Sequence, residues 1–161
     1  MVNDPFTGTL VPIDFRHISD QVPELQRFGF NLGTITFDPV IDSSDVSPDT
    51  WIRIANTIFE EYDHFDGFVV LHGTDTMSYS ASALSFMLSG LEKPVIFTGA
   101  QLPIGVLRTD GKENLITAIE IAAASENGLP LVPEVCIYFE NKLLRGNRTI
   151  KFSADRAGAF K

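Results

Sequence analysis

Cysteine occurs once in these 161 residues, at Cys136, so no internal disulfide can form. Its apolar neighbours Val135 and Ile137 point to a buried strand thiol and a reducing compartment. Basic residues are also scarce. Twelve Lys and Arg stand against 21 Asp and Glu, a formal charge of -9 that repels phosphate backbones and anionic lipid surfaces. Neither nucleic acid nor a membrane is therefore expected as a partner. Histidine appears at His17, His64 and His72 only, with no His-Glu-x-x-His helix, and one cysteine cannot build a thiolate zinc site. No glycine-rich dinucleotide fingerprint follows a strand, and no phosphate loop ends in Gly-Lys-Ser or Gly-Lys-Thr. No metal and no organic cofactor are expected. Apolar runs stop far short of a membrane span, and Met1 to Phe6 lacks the basic and apolar regions of a signal peptide. The expectation is a soluble, cytoplasmic chain.

What is present suits one globular domain over residues 1–161, with 44% hydrophobic residues. Residues 1–20 carry no sustained period and read as loop, with a short hairpin around Thr7-Gly8. Phe30 to Phe37 alternates with a slip at Gly33, which predicts a strand bent there. Ser47-Pro48-Asp49 has the chemistry of a helix start. Trp51, Ile52, Ile54, Ala55, Ile58 and Phe59 then recur at helical spacing, as an inward face running to about Tyr62. Gly67 to Leu71 is continuously apolar, which predicts a strand covered on both faces at the centre of a parallel sheet. A helix from Tyr79 to Leu88 closed by Gly90, a strand at 94–98, a helix from Asn114 to Ala124 and a strand at 135–139 follow. This alternation predicts an α/β fold, a doubly wound, mostly parallel sheet with flanking helices.

Ligands of open α/β sheets bind beyond the carboxyl ends of the strands. Three polar clusters fall at such ends: Asp42-Ser43-Ser44-Asp45, His72 to Thr76, and the stretch after Thr98. Each is also what a helix cap or turn looks like, since Ser, Thr and Asp satisfy orphan amides there. Taken together they suit a zwitterion. An α-amino acid offers an ammonium to Asp75 and a carboxylate to the hydroxyls and amides of Ser43 and Ser44, while amides near Thr74 face a developing oxyanion. His72 is a candidate base, with a hydrogen-bonded structural histidine as the plainer reading.

The run Gly67-Phe68-Val69-Val70-Leu71-His72-Gly73-Thr74-Asp75-Thr76-Met77, its continuation Ser80 to Leu88, and Gly99-Ala100-Gln101-Leu102-Pro103 through Arg108-Thr109-Asp110-Gly111 resemble bacterial type I (cytosolic) L-asparaginases. Asp42 to Asp45 and Arg145-Gly146-Asn147-Arg148-Thr149-Ile150-Lys151 extend the resemblance over nearly the whole chain. It implies the N-terminal domain of the asparaginase/glutaminase fold, in a homo-oligomer of dimer or tetramer size. The implied reaction is hydrolysis of the small-molecule substrate L-asparagine to aspartate and ammonia, by a threonine nucleophile through a β-aspartyl acyl-enzyme, without cofactor. By resemblance, Asp42, Ser43 and Ser44 bind the α-carboxylate side of the substrate and Asp75 its α-ammonium. Thr74, Asp75 and Lys151 form a triad in which the lysine activates a hydroxyl. Without the resemblance, Lys151 reads as a solvated surface lysine.

The chain also departs from the family pattern. Met1 aligns just after the family's Thr-Gly-Gly-Thr-Ile strand, whose second threonine is the nucleophile, and Lys161 falls before its second domain. The expectation is a domain truncated at both ends, with near-background hydrolysis and a tendency to associate through uncovered surfaces. Thr9-Leu10 replaces a frequent tyrosine, and Ile150 stands where some relatives have threonine. Two alternatives remain open: a non-catalytic amino-acid binder, and the asparaginase-like subunit of a tRNA-dependent amidotransferase.

Overall fold

The computed structural model describes residues 2–3, 10–11, 22–101, 109–153 and 159–161. Strand β1 (Val2–Asn3) pairs antiparallel with β2 (Leu10–Val11), bracketing the hairpin expected around Thr7-Gly8, whose turn lies outside the described residues. Helix α1 (Pro48–Glu60) starts where Ser47-Pro48 predicts, with Ser47 in extended conformation and its N–H donated to Thr50 Oγ1 at 3.3 Å. Ile54 and Ile58 are buried on its inner face, but Ile52 and Phe59 are exposed. The inward stripe is thus narrower than the sequence reading, because Ile52 lies two residues, about 160° round the helix, from both Thr50 and Ile54, and Phe59 lies one residue, about 100°, past Ile58.

The central sheet contains β3 (Phe68–Leu71), β4 (Val95–Thr98), β7 (Val135–Phe139) and β8 (Lys142–Arg145), in that spatial order. The β3/β4 and β4/β7 pairs are parallel and β7/β8 is antiparallel. Helix α2 (Met77–Met87) connects β3 to β4, and α3 (Gly111–Ala123), one turn longer at its start than expected, connects β4 towards β7. Strict alternation sorts the strand side chains. Val95, Phe97, Val135, Ile137 and Phe139 pack with α1 and α2, whereas Ile96, Cys136 and Tyr138 pack with Ala118 and Ala122 of α3. Helices therefore cover both faces, as a doubly wound sheet requires. Both crossovers step across the sheet in the same direction, so helices on opposite faces make them opposite in hand. One of the two departs from the right-handed rule.

Two expectations fail. Residues 30–37 form no strand; Phe30, Leu32 and Ile35 are exposed, and without a neighbouring strand to pair, alternation alone cannot hold a ladder. Strand β3 lies at the edge of the sheet among the described residues, not at its centre. Its apolar run is still accounted for, since Phe68 and Val70 pack towards α1 and α2 while Val69 and Leu71 pack towards α3. The central, fully buried strands are β4 and β7. Two hairpins were not anticipated. β5 (Ser125–Glu126) pairs with β6 (Leu129–Pro130) across Asn127-Gly128, and β7 turns into β8 across Glu140-Asn141, each turn residue having positive φ. Among the described residues no helix is long and apolar enough to cross a membrane.

Candidate functional site

The carboxyl ends of β3 and β4 carry the polar residues. His72 N donates to Thr98 O at 2.9 Å, continuing the β3/β4 ladder one residue beyond the strand. The chain then leaves the sheet through Gly73, Thr74, Asp75 and Thr76 and enters α2. Gly73 is required by proximity. A Cβ there would meet Ser43 Oγ and lie 2.6 Å from Ser43 Cβ, so only glycine lets the 3-10 turn Ser43–Asp45 close on this loop. Thr76 Oγ1 locks the approach by donating to Ser43 O at 2.6 Å. Two polar clusters separated by some thirty residues of sequence thus become one surface.

Lys151 reaches this surface from the far end of the chain. Its segment is held by antiparallel main-chain bonds, Ile150 N to Lys161 O at 2.9 Å, Lys161 N to Ile150 O at 3.1 Å and Phe152 N to Ala159 O at 2.9 Å. The return segment is anchored by buried Phe160, which packs edge-on against Phe139 with ring centroids 5.1 Å apart. So placed, Lys151 Nζ donates to Thr74 Oγ1 at 3.0 Å and to Asp75 Oδ1 at 2.8 Å. The lysine side chain is 14% exposed and that of Asp75 66%, so the pair is covered on one side and open to solvent on the other. A screened pair of this kind positions groups more than it stabilises the fold.

The expected site residues do not all behave alike. Thr74, Asp75 and Lys151 are in direct contact, and Ser43 is buried against their loop. Asp42 and Ser44 are exposed and engaged with each other: Asp42 Oδ1 accepts from Ser44 N at 2.9 Å and from Ser44 Oγ at 2.8 Å. These two bonds, the backbone one first, hold the Asp42 carboxyl below its ordinary value. This is the helix-cap arrangement that the sequence left open for that cluster.

The third cluster is organised by Asn114, which the sequence reading counted only as a helix residue. Its Nδ2 donates to Gly99 O at 3.0 Å and to Asp110 Oδ2 at 3.3 Å, and its Oδ1 accepts from Glu140 N at 3.2 Å. Asp110 Oδ2 also accepts from Gln101 N at 3.0 Å. Burial, followed by the nearby Asp110 charge, pushes the Glu140 carboxyl up. Residues 102–108 of the motif lie outside the described residues.

His72 is not aimed at the Lys151 pair. Its Nε2 lies 2.9 Å from Ser80 Oγ and its Nδ1 2.7 Å from Gly73 O, the hydrogen-bonded structural role that was the plainer reading. Trp51 Nε1 donates to the same Ser80 Oγ at 3.0 Å. Burial pushes the imidazole below its ordinary value, against the opposing pull of the Gly73 bond. Cys136 is buried and free, as expected.

The family model for the asparaginase N-terminal domain matches residues 1–161. The chain is 53% identical over 138 residues to "L-asparaginase 1" of Escherichia coli strain K12, covering 86% of this chain and 38% of that protein. It is 52% identical over 122 residues to the "60 kDa lysophospholipase" of Mus musculus, covering 76% of this chain and 21% of that one. The crystal structure of L-asparaginase I from Vibrio cholerae superposes with a TM-score of 0.79 at 45% identity, over 94% of this chain and 44% of that one. The chain thus spans less than half the length of each. With the fold, the His72-to-Met77 strand end and the whole-length match in agreement, this chain belongs to the asparaginase family, as its N-terminal domain.

Proposed function

We propose that this chain carries the amino-acid-binding and proton-transfer part of an L-asparagine amidohydrolase. The observation that supports it most is the single Lys151 amine bridging Thr74 Oγ1 and Asp75 Oδ1 at the strand end. In this reading the α-ammonium of asparagine binds the exposed carboxylate of Asp75, and its α-carboxylate binds beside Ser43 and the turn formed by Asp42 and Ser44. The side-chain amide then lies over the Thr74 hydroxyl. Lys151, once it has given up a proton, accepts the proton of a threonine hydroxyl as the oxygen bonds to the amide carbon. Collapse of the tetrahedral adduct breaks the carbon–nitrogen bond, and the proton goes to the departing ammonia. Water then cleaves the β-aspartyl ester, with Lys151 shuttling the second proton, to release aspartate. No cofactor has a part in these steps. The reaction is assigned to the homo-oligomeric, cytoplasmic gene product that contains this chain.

The binding half is tested by calorimetric titration of the chain with L-aspartate. The expected result is saturable binding that Asp75→Asn weakens by about tenfold or more, through loss of a charge-assisted bond. Binding unchanged by Asp75→Asn refutes the assignment of the ammonium site.

A further inference from the structure

We propose that His72 is a positioning residue, held as its neutral Nδ1–H tautomer by a hydrogen-bond relay from Trp51 through Ser80, and that it orients the Gly73–Thr74 peptide of the site. The donor inventory dictates the direction of every bond. An indole N–H only donates, so Ser80 Oγ accepts from Trp51. Ser80 keeps one proton, and its contact at 2.9 Å with His72 Nε2 is satisfied when that nitrogen is bare. At the other side of the ring Gly73 O only accepts, so Nδ1, at 2.7 Å, must carry the hydrogen. The two ends demand the same tautomer. An imidazolium would instead present a second N–H to Ser80 Oγ, forcing the serine proton away from its partner.

The relay ties together three elements, Trp51 on α1, the fully buried Ser80 on α2 and His72 at the end of β3. The main chain of His72 is fixed by its bond to Thr98 O, and its ring lies against Phe97, with centroids 5.8 Å apart. A trans peptide points its C=O and N–H in opposite directions. Fixing Gly73 C=O on the ring therefore fixes the Thr74 N–H on the opposite side and sets the start of the residue that bonds Lys151. His72 touches neither Lys151 nor Asp75 in any of these contacts and acts only through this peptide.

The functional part of this inference rests on the amino-acid site proposed above; the tautomer part does not. Long-range 1H–15N spectra of the histidine-labelled chain at pH 7.5 test the latter, with His72 assigned by its loss in His72→Asn. The expected result is a protonated Nδ1 and a bare Nε2, with the Thr74 amide resonance displaced in Ser80→Ala. Trp51→Phe, which keeps Ser80, is the second variant and displaces the same resonance. A protonated Nε2 at pH 7.5, or a Thr74 amide unmoved in a folded variant, overturns the proposal. L-Aspartate titration tests the former. His72→Asn keeps a nitrogen donor in the Nδ1 position and retains affinity, whereas His72→Leu loses about tenfold. Equal affinity of the Asn and Leu variants overturns the positioning role. The expected tautomer together with no aspartate binding by the wild-type chain upholds the relay and refutes the amino-acid site instead.

Discussion

Replacing Gly73 by alanine probes the junction on which the site depends. The added methyl would lie 2.6 Å from Ser43 Cβ and against Ser43 Oγ. Carbon atoms settle at about 3.5–4.0 Å, so the two segments must part by about 1 Å. Gly73 has no left-handed φ, so the perturbation is steric and not a backbone strain. Ser43 cannot simply retreat, because it is buried and its carbonyl holds Thr76 Oγ1 at the start of α2. A displacement of about 1 Å breaks a charge-assisted bond to a ligand held by both segments, which is worth about 1.5–3 kcal/mol, or roughly 10- to 100-fold in affinity. Isothermal titration with L-aspartate, run beside thermal melts, reads this directly. The expected outcome is an affinity lowered by about one to two orders of magnitude, with an overpacking loss of about 1–3 kcal/mol in fold stability. Adding Ser43→Gly removes the colliding side chain, restores the approach and recovers part of the affinity. Wild-type affinity in Gly73→Ala would refute the idea that Ser43 and the Thr74 loop form one site.

The remaining expectations concern packing and protons. Burial, then Glu134, pushes the Cys136 thiol up to about 12 from 9.0; alkylation by iodoacetamide at pH 8 should be about 1000-fold slower in the folded chain than in urea. His72 is held below its ordinary value of 6.5, so the unfolded chain takes up the proton first and stability falls as pH drops from 6.5 towards the folded value. Melting temperatures from pH 8 to 5 should show this slope, and His72→Asn should flatten it; an equal slope in that variant counts against the assignment. Phe160→Ala removes the buried anchor of the segment paired with Lys151 and should cost about 3–5 kcal/mol in urea unfolding, while Phe160→Leu retains most of the stability.

The sequence disclosed what is encoded locally. Ser47-Pro48 marked the start of α1, and the unbroken apolar runs at 94–98 and 135–139 marked the two strands that are buried on both faces. Residues 30–37 misled because alternation reports a half-buried surface but not the neighbour that would pair with it. β3 was placed at the centre for the same reason: its apolar run reports two covered faces, which an edge strand beneath two helix layers also has. The β7–β8 turn was missed because Glu140-Asn141 lacks the glycine that usually signals two positive φ angles, whereas Asn127-Gly128 carried that signal. At the site, no spacing rule joins Lys151 to Thr74 and Asp75, which lie 77 and 76 residues away; only the family resemblance did. Trp51 and Ser80 looked like ordinary helix-face residues, and their link to His72 depends on helices meeting in three dimensions.

The central claim is that Lys151 moves protons for the hydrolysis of asparagine at the Thr74–Asp75 strand end. Steady-state ammonia release from L-asparagine, by the gene product containing this chain and by its Lys151→Met variant, tests it most directly. The account predicts kcat lowered by about 10²–10⁴-fold with KM little changed, the behaviour of a lost general base. Full kcat in a folded Lys151→Met protein, or no asparagine hydrolysis by the wild type, would contradict it.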